Sequence, residues 1–165
     1  MNPPPAGGHS LRILCAEDDE DLLACTAELL HEQGHAVDCA TDGQQALSEL
    51  LKDCEAFDLL ITDRQMPHLD GVGLVEESRR AGYRGKIIVF ATALSESDRQ
   101  RFRRLAVNAI VEKASRPQDL LEVVRQVAVA AAVAWVSRFR AFVALVTRTL
   151  RSSWVGWDSN PQPTP

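Results

Sequence analysis

The chain has 165 residues and a formal net charge of −5, with 45% hydrophobic and 25% charged residues. That is the make-up of an ordinary globular protein, long enough for one domain plus an extension. Residues 1–122 hold 13 Lys and Arg against 22 Asp and Glu, whereas residues 123–157 hold five Arg and no acid; an acidic body with a basic tail does not look like a dedicated nucleic-acid binder, which would carry a broad basic face, so no direct nucleic acid binding is expected.

Residues 1–10 are rich in Pro and Gly, with no basic start and no long apolar stretch, which predicts a disordered leader and no secretory signal. Arg12 to Ala16 reads as a buried strand, because a continuous apolar run suits a sheet covered on both faces. Glu20 to Gln33 reads as a helix with Leu22, Leu23, Thr26, Leu29 and Leu30 inward and Gly34 as its stop. His35 to Ala40 is a second strand and Thr41-Asp42-Gly43 a turn. Gln44 to Cys54 is a helix with Ala46, Leu47, Leu50 and Leu51 inward. A third strand spans Asp58 to Thr62, and a helix from Val72 to Ala81 ends at Gly82. Lys86 to Ala91 is a fourth strand, Ser95 caps a helix running to about Ala106, and Ala109 to Glu112 is a fifth strand. Pro117 opens a last helix, where proline suits the first turn. The four cysteines, Cys15, Cys25, Cys39 and Cys54, form no C-x-x-C pair and are expected to be buried thiols in a reducing cytosol.

β-α repeated five times predicts a doubly wound parallel sheet between helices, with every strand's C-terminal end on one edge. Ligand sites of such sheets lie at that edge, near the point where strand order reverses. Glu17, Asp18, Asp63, the Ala91/Thr92 pair and Lys113 all fall there. Acids at 17–19 also complement a helix macrodipole, the role expected of Asp19, and Asp63 could serve a turn. Packed carboxylates repel, so their convergence asks for a cation, and oxygen-only ligands suit Mg²⁺ beside a phosphate. A lysine and a hydroxyl complete the equipment for holding a phosphoryl group, with Asp63 as a candidate nucleophile.

The segments R-I-L-C-A-E-D-D (12–19), D-L-L-I-T-D-R-Q-M-P (58–67), L-D-G (69–71), K-I-I-V-F-A-T-A (86–93) and V-E-K (111–113) together resemble the bacterial response-regulator receiver domain. The resemblance covers about Leu11 to Gln126. It implies a flavodoxin-like sheet of strand order 2-1-3-4-5. It implies that Asp63 takes a phosphoryl group from a sensor histidine kinase or phosphotransfer protein. Asp18, Asp63 and the backbone carbonyl of Gln65 would ligate Mg²⁺, Glu17 would hold it through water, and Lys113 would contact the phosphoryl oxygens. The family's switch hydroxyl usually stands 22 residues before the lysine, at Ala91 here, while Thr92 is one residue short; Thr92 is the preferred of the two. Ala114 replaces the proline that usually follows the lysine, so no cis peptide is expected there. Ile110 replaces the aromatic of the fifth strand. These departures leave a second reading open, a degenerate receiver acting as a phosphorylation-independent interaction or dimerisation module. A haloacid-dehalogenase-type phosphatase would need an acid where Gln65 stands, and a flavin binder a hydroxyl- and glycine-rich loop where Glu17-Asp18-Asp19 stands.

Residues 127–151 read as an amphipathic basic helical extension and 152–165 as a disordered tail, or as a run-on reading frame. A membrane span is not expected, since Arg138 and Arg140 interrupt the apolar run; surface contact with a membrane is the lesser reading of that helix. A homodimer through the fourth-helix to fifth-helix face or through the C-terminal helix is open. Arg99, Arg101, Arg103 and Arg104 are expected to form a solvated face. No output domain is recognisable, and the expected location is the cytoplasm.

Overall fold

The computed structural model describes residues 10–113 and 118–129. Five strands alternate with helices: β1 (Arg12–Ala16), α1 (Glu20–Glu32), β2 (Ala36–Ala40), α2 (Gly43–Lys52), β3 (Leu59–Thr62), α3 (Gly71–Arg80), β4 (Lys86–Ala91), α4 (Glu96–Arg104) and β5 (Ala109–Glu112). Residues 118–129 are helical and form α5. All strand pairs are parallel, in the order β2-β1-β3-β4-β5. The expected architecture is therefore the observed one. Residues 1–9 of the predicted leader, Ala114, Pro117 and the extension and tail beyond residue 129 lie outside the described residues.

Side chains on a strand alternate between faces, and this sheet uses both. Leu14, Ala16, Leu60, Ile87 and Val89 pack with Ala46 and Leu50 of α2, Leu74 and Val75 of α3, and Phe102 of α4. Ile13, Cys15, Leu59, Ile61 and Ile88 pack on the other face with Leu23 and Leu30 of α1 and with Leu120 and Val124 of α5. Double coverage explains why β1, β3 and β4 are runs of apolar residues rather than alternating ones.

Helices α1 to α4 each begin on a side chain that accepts an otherwise unpaired backbone N–H. Asp19 accepts from Asp21 and Leu22, Asp42 from Gln45, Asp70 from Gly73, and Ser95 from Asp98. Asp19 thus takes the helix-start role that its position in the acidic run suggested.

Three expectations need correction. Leu51 is exposed, because α2 is amphipathic and a residue next to Leu50 points away from the sheet. Cys25 and Cys39 are exposed and Cys54 half-buried; only Cys15 is buried. Cys39 lies on β2, the edge strand, whose residues other than Ala40 are at least partly open to solvent. Cys25 lies on the outer side of α1, away from the buried Leu23, Thr26, Ala27 and Leu30. The third strand begins at Leu59 rather than Asp58. Asp58 instead clamps the strand starts: its N–H donates to Arg12 O at 2.9 Å, its carboxylate accepts from Arg12 N at 2.8 Å, and its carbonyl accepts from Lys86 N at 2.8 Å.

The α4–β5 turn carries a backbone cost. Ala106 adopts φ 54°, the left-handed region in which a Cβ is unfavourable and glycine is the usual residue. Asn108 then joins the sheet early, its N–H donating to Ile87 O at 2.8 Å and its side-chain oxygen accepting from Ile87 N at 2.9 Å. We expect Ala106→Gly to stabilise the protein by about 1 kcal/mol, read as a higher urea midpoint at unchanged slope.

Candidate functional site

The parallel ladder runs one residue past three of the strands, and those residues are the chemical ones. Glu17 N donates to Ala40 O at 3.1 Å, Asp63 N to Ala16 O at 2.9 Å, and Lys113 N to Ala91 O at 3.0 Å. Backbone pairing thus fixes three side chains from β1, β3 and β5 on the carboxyl edge. β1 and β3 are the strands between which the chain's path reverses, the place where such sheets carry their sites.

The side chains meet there. One carboxylate oxygen from each of Glu17, Asp18 and Asp63 lies within 4.8 Å of the others. Glu17 and Asp63 are buried and Asp18 is exposed. Lys113 Nζ lies 2.7 Å from either carboxylate oxygen of Glu17 and 3.2 Å from Asp63 Oδ1. Gln65 N donates to Asp63 Oδ2 at 3.0 Å. The Asp63 carboxylate is therefore held on one oxygen by an ammonium and on the other by a backbone N–H. The Gln65 side chain is exposed. Thr92, exposed, is the first residue after β4, and Ala91, buried, is the last residue in it.

Burial pushes the Glu17 carboxyl above its usual range, against the opposing pull of Lys113, with Asp63 adding to the rise. For Lys113, burial works against the charge, but the hydrogen bond to Glu17 and the field of Asp63 outweigh it and raise the ammonium. Two carboxylates within 4.8 Å of each other repel by at least about 3 kcal/mol at an effective dielectric of about 20. One lysine offsets part of that among three acids. The all-oxygen donor set fits a hard divalent cation: oxygens on one Mg²⁺ lie about 3–4 Å apart, so a small inward movement would close these around it.

Glycine lets the loops approach closely. A Cβ on Gly71 would sit 2.0 Å from Asp63 O, and one on Gly43 2.0 Å from Leu69 O. Gly71 N instead donates to Arg64 O at 2.9 Å, closing the β3–α3 loop behind Asp63. Sequence reasoning quoted Gly71 within L-D-G and gave it no role.

It also missed a half-buried tie. Arg64 Nε lies 2.8 Å from Asp98 Oδ2, and Ser95 Oγ donates to the same oxygen at 2.8 Å. The Arg64 guanidinium and the Ser95 hydroxyl hold the Asp98 carboxyl below its usual range. The partners are 34 residues apart, and neither sits in a pattern that pairs them. The neighbouring arginines are paired at the surface: Arg99 with Glu112, Arg101 with Glu76 and Arg103 with Glu96. That agrees with a solvated face.

The family model for the response regulator receiver domain matches residues 13–125, and the chain belongs to that family. The sensor kinase/phosphatase LuxQ of Vibrio vulnificus is 30% identical over 122 residues, 72% of this chain and 14% of that protein. The transcriptional regulatory protein CpxR of Klebsiella pneumoniae is 32% identical over 116 residues, 70% of this chain and 48% of that protein. The chain thus spans less than half the length of these relatives. Among solved structures, the chemotaxis protein CheY4 of Vibrio cholerae has the same fold, with TM-score 0.65 and 24% identity over 72% of this chain and 99% of that one. A CheY-like receiver domain from Methanospirillum hungatei gives TM-score 0.66 at 25% identity, covering 72% and 93%. The protein is a receiver of the response-regulator type, the module of two-component signalling.

Gly71→Ala is expected to destabilise the protein by about 1–3 kcal/mol, since the loop must move to admit the methyl group; urea denaturation measures it. Asp98 has its carboxyl pulled down in the folded state, so its contribution is present above the usual carboxylate range and lost as pH falls below that range. The stability difference between wild type and Asp98→Asn should therefore be full at about pH 6 and shrink towards about pH 2, read by denaturation at each pH.

Proposed function

We propose that the protein is a phosphorylation-dependent switch in which Asp63 accepts a phosphoryl group from the phosphohistidine of a sensor kinase or phosphotransfer protein. The observation that carries this reading is the meeting of Glu17, Asp18 and Asp63 within 4.8 Å, with Lys113 in contact with two of them. A fold that used this edge only for docking would gain nothing from such repulsion, which disfavours the degenerate-receiver reading. Asp18, Asp63 and the Gln65 carbonyl would hold Mg²⁺ directly and Glu17 through water. Bound there, the ion would neutralise charge on the transferring group and orient it.

In the transfer, one Asp63 oxygen attacks phosphorus as the bond from phosphorus to the donor imidazole nitrogen breaks. The imidazole leaves with the electron pair, and an acyl phosphate forms. Lys113 Nζ, already on Asp63 Oδ1, meets the developing charge on the phosphoryl oxygens. The Gln65 N–H, already on Oδ2, is a second donor. Burial of Asp63 limits the water that would compete with the attack. Thr92 is assigned the switch hydroxyl: it follows its strand as Glu17, Asp63 and Lys113 follow theirs, whereas Ala91 has no hydroxyl to give. The receiver is assigned to 11–126, the helical extension to 127–151, and the place of action to the cytoplasm, where kinase-fed phosphoryl groups arise. Self-association through the α4–α5 face or the extension would carry the output.

Incubation with acetyl phosphate and Mg²⁺ should add one hydroxylamine-sensitive phosphoryl group to wild type and none to Asp63→Asn, by intact mass. Chelation of Mg²⁺ should abolish the addition, and Lys113→Ala should slow it at least about tenfold. Absence of the adduct in wild type, or equal labelling of Asp63→Asn, would reject the reading.

A further inference from the structure

Arg64 follows Asp63 directly, and both ends of it are held. Its carbonyl accepts from Gly71 N at 2.9 Å, and its guanidinium reaches Asp98 at 2.8 Å. Asp98 stands in the first turn of α4 and is 6% exposed. Its carboxylate accepts from Ser95 Oγ, and Ser95 Oγ in turn accepts from Asp98 N at 3.1 Å. The start of α4 is thus tied through one half-buried ion pair to the residue beside the proposed phosphoryl acceptor.

The rest of α4 is thinly anchored. Phe102 is its one buried apolar side chain. Its other links to the body, Arg101 to Glu76 and Arg99 to Glu112, are largely open to solvent. Exposed pairs contribute little, and the Arg64–Asp98 pair is the least exposed of those made by α4. β5 carries Ile110, so no aromatic ring on that strand is available to report on the site.

We propose that the Arg64–Asp98 ion pair is a positioning contact that couples the state of Asp63 to the first turn of α4. This rests on the reading of Asp63 as phosphoryl acceptor. Asp63 Oδ2 is now held by Gln65 N and Oδ1 by Lys113. A phosphoryl group on either oxygen takes over these donors and shifts the segment 63–65. Arg64 lies inside that segment and cannot follow without pulling on Asp98. The added negative charge also competes for the guanidinium. Both effects loosen Asp98 and free the start of α4. By linkage, the factor by which loading opens α4 is the factor by which breaking the pair favours loading.

The test combines hydrogen exchange of residues 93–102 with fluorine NMR of bound beryllofluoride, which reads occupancy of Asp63 independently. In wild type, beryllofluoride with Mg²⁺ should speed exchange in the first turn of α4 about fivefold. Arg64→Gln should exchange faster before loading and change by less than about twofold on loading, at equal occupancy. The charge swap Arg64→Asp with Asp98→Arg should restore the response. The proposal is overturned if Arg64→Gln responds as wild type, if the folded charge swap does not recover the response, or if wild type loads without change in α4. If wild type shows no bound beryllofluoride, the reading of Asp63 fails first and this coupling with it.

Discussion

Lys113 makes the acidic edge tenable. Glu17 and Asp63 are buried within reach of each other, and neither has another cation in contact among the described residues. One ammonium touches both, and its own charge survives burial because they are there. The arrangement is balanced but not neutral: three carboxylates face one lysine, and the excess negative charge is what makes the place receptive to a hard cation. The pairing of β5 with β4 is therefore a condition of that balance, since the ladder bond from Lys113 N to Ala91 O carries the lysine to the edge.

Close approach of backbone does the rest of the positioning. Gly71 lets α3 start against the Asp63 carbonyl, and Gly43 lets α2 start against Leu69. The β3–α3 loop is pressed between these two helix starts, and the Asp63 carboxylate it carries is held by the Gln65 N–H on one oxygen and by the Lys113 ammonium on the other. Such support suits a group that must hold its geometry through a transfer.

The sheet was legible because burial on both faces writes β1, β3 and β4 as apolar runs, and because Gly34 and Gly82 mark helix ends. The site was legible because the acids fall at run ends. The edge strand was harder to read: nothing in A-V-D-C-A says that one side has no neighbour, so Cys39 looked buried. Leu51 misled for a related reason, since a four-residue apolar patch on a short helix is wider than the face the sheet can cover. The Arg64–Asp98 tie was not legible at all. It depends on where α4 begins relative to the third loop, a tertiary distance that no local spacing encodes, and Asp98 in sequence is one more acid in a helix's first turn.

The contact between Glu17 and Lys113 spans 96 residues. Synthesis proceeds from the amino terminus, so the acids leave the ribosome long before their counter-charge does. Until the fifth strand has emerged and docked, the acidic edge lacks the ammonium that lets it close. The acidic edge of a nascent receiver is thus left without its counter-charge by chain order itself, and the balance of charge arrives only with the last strand.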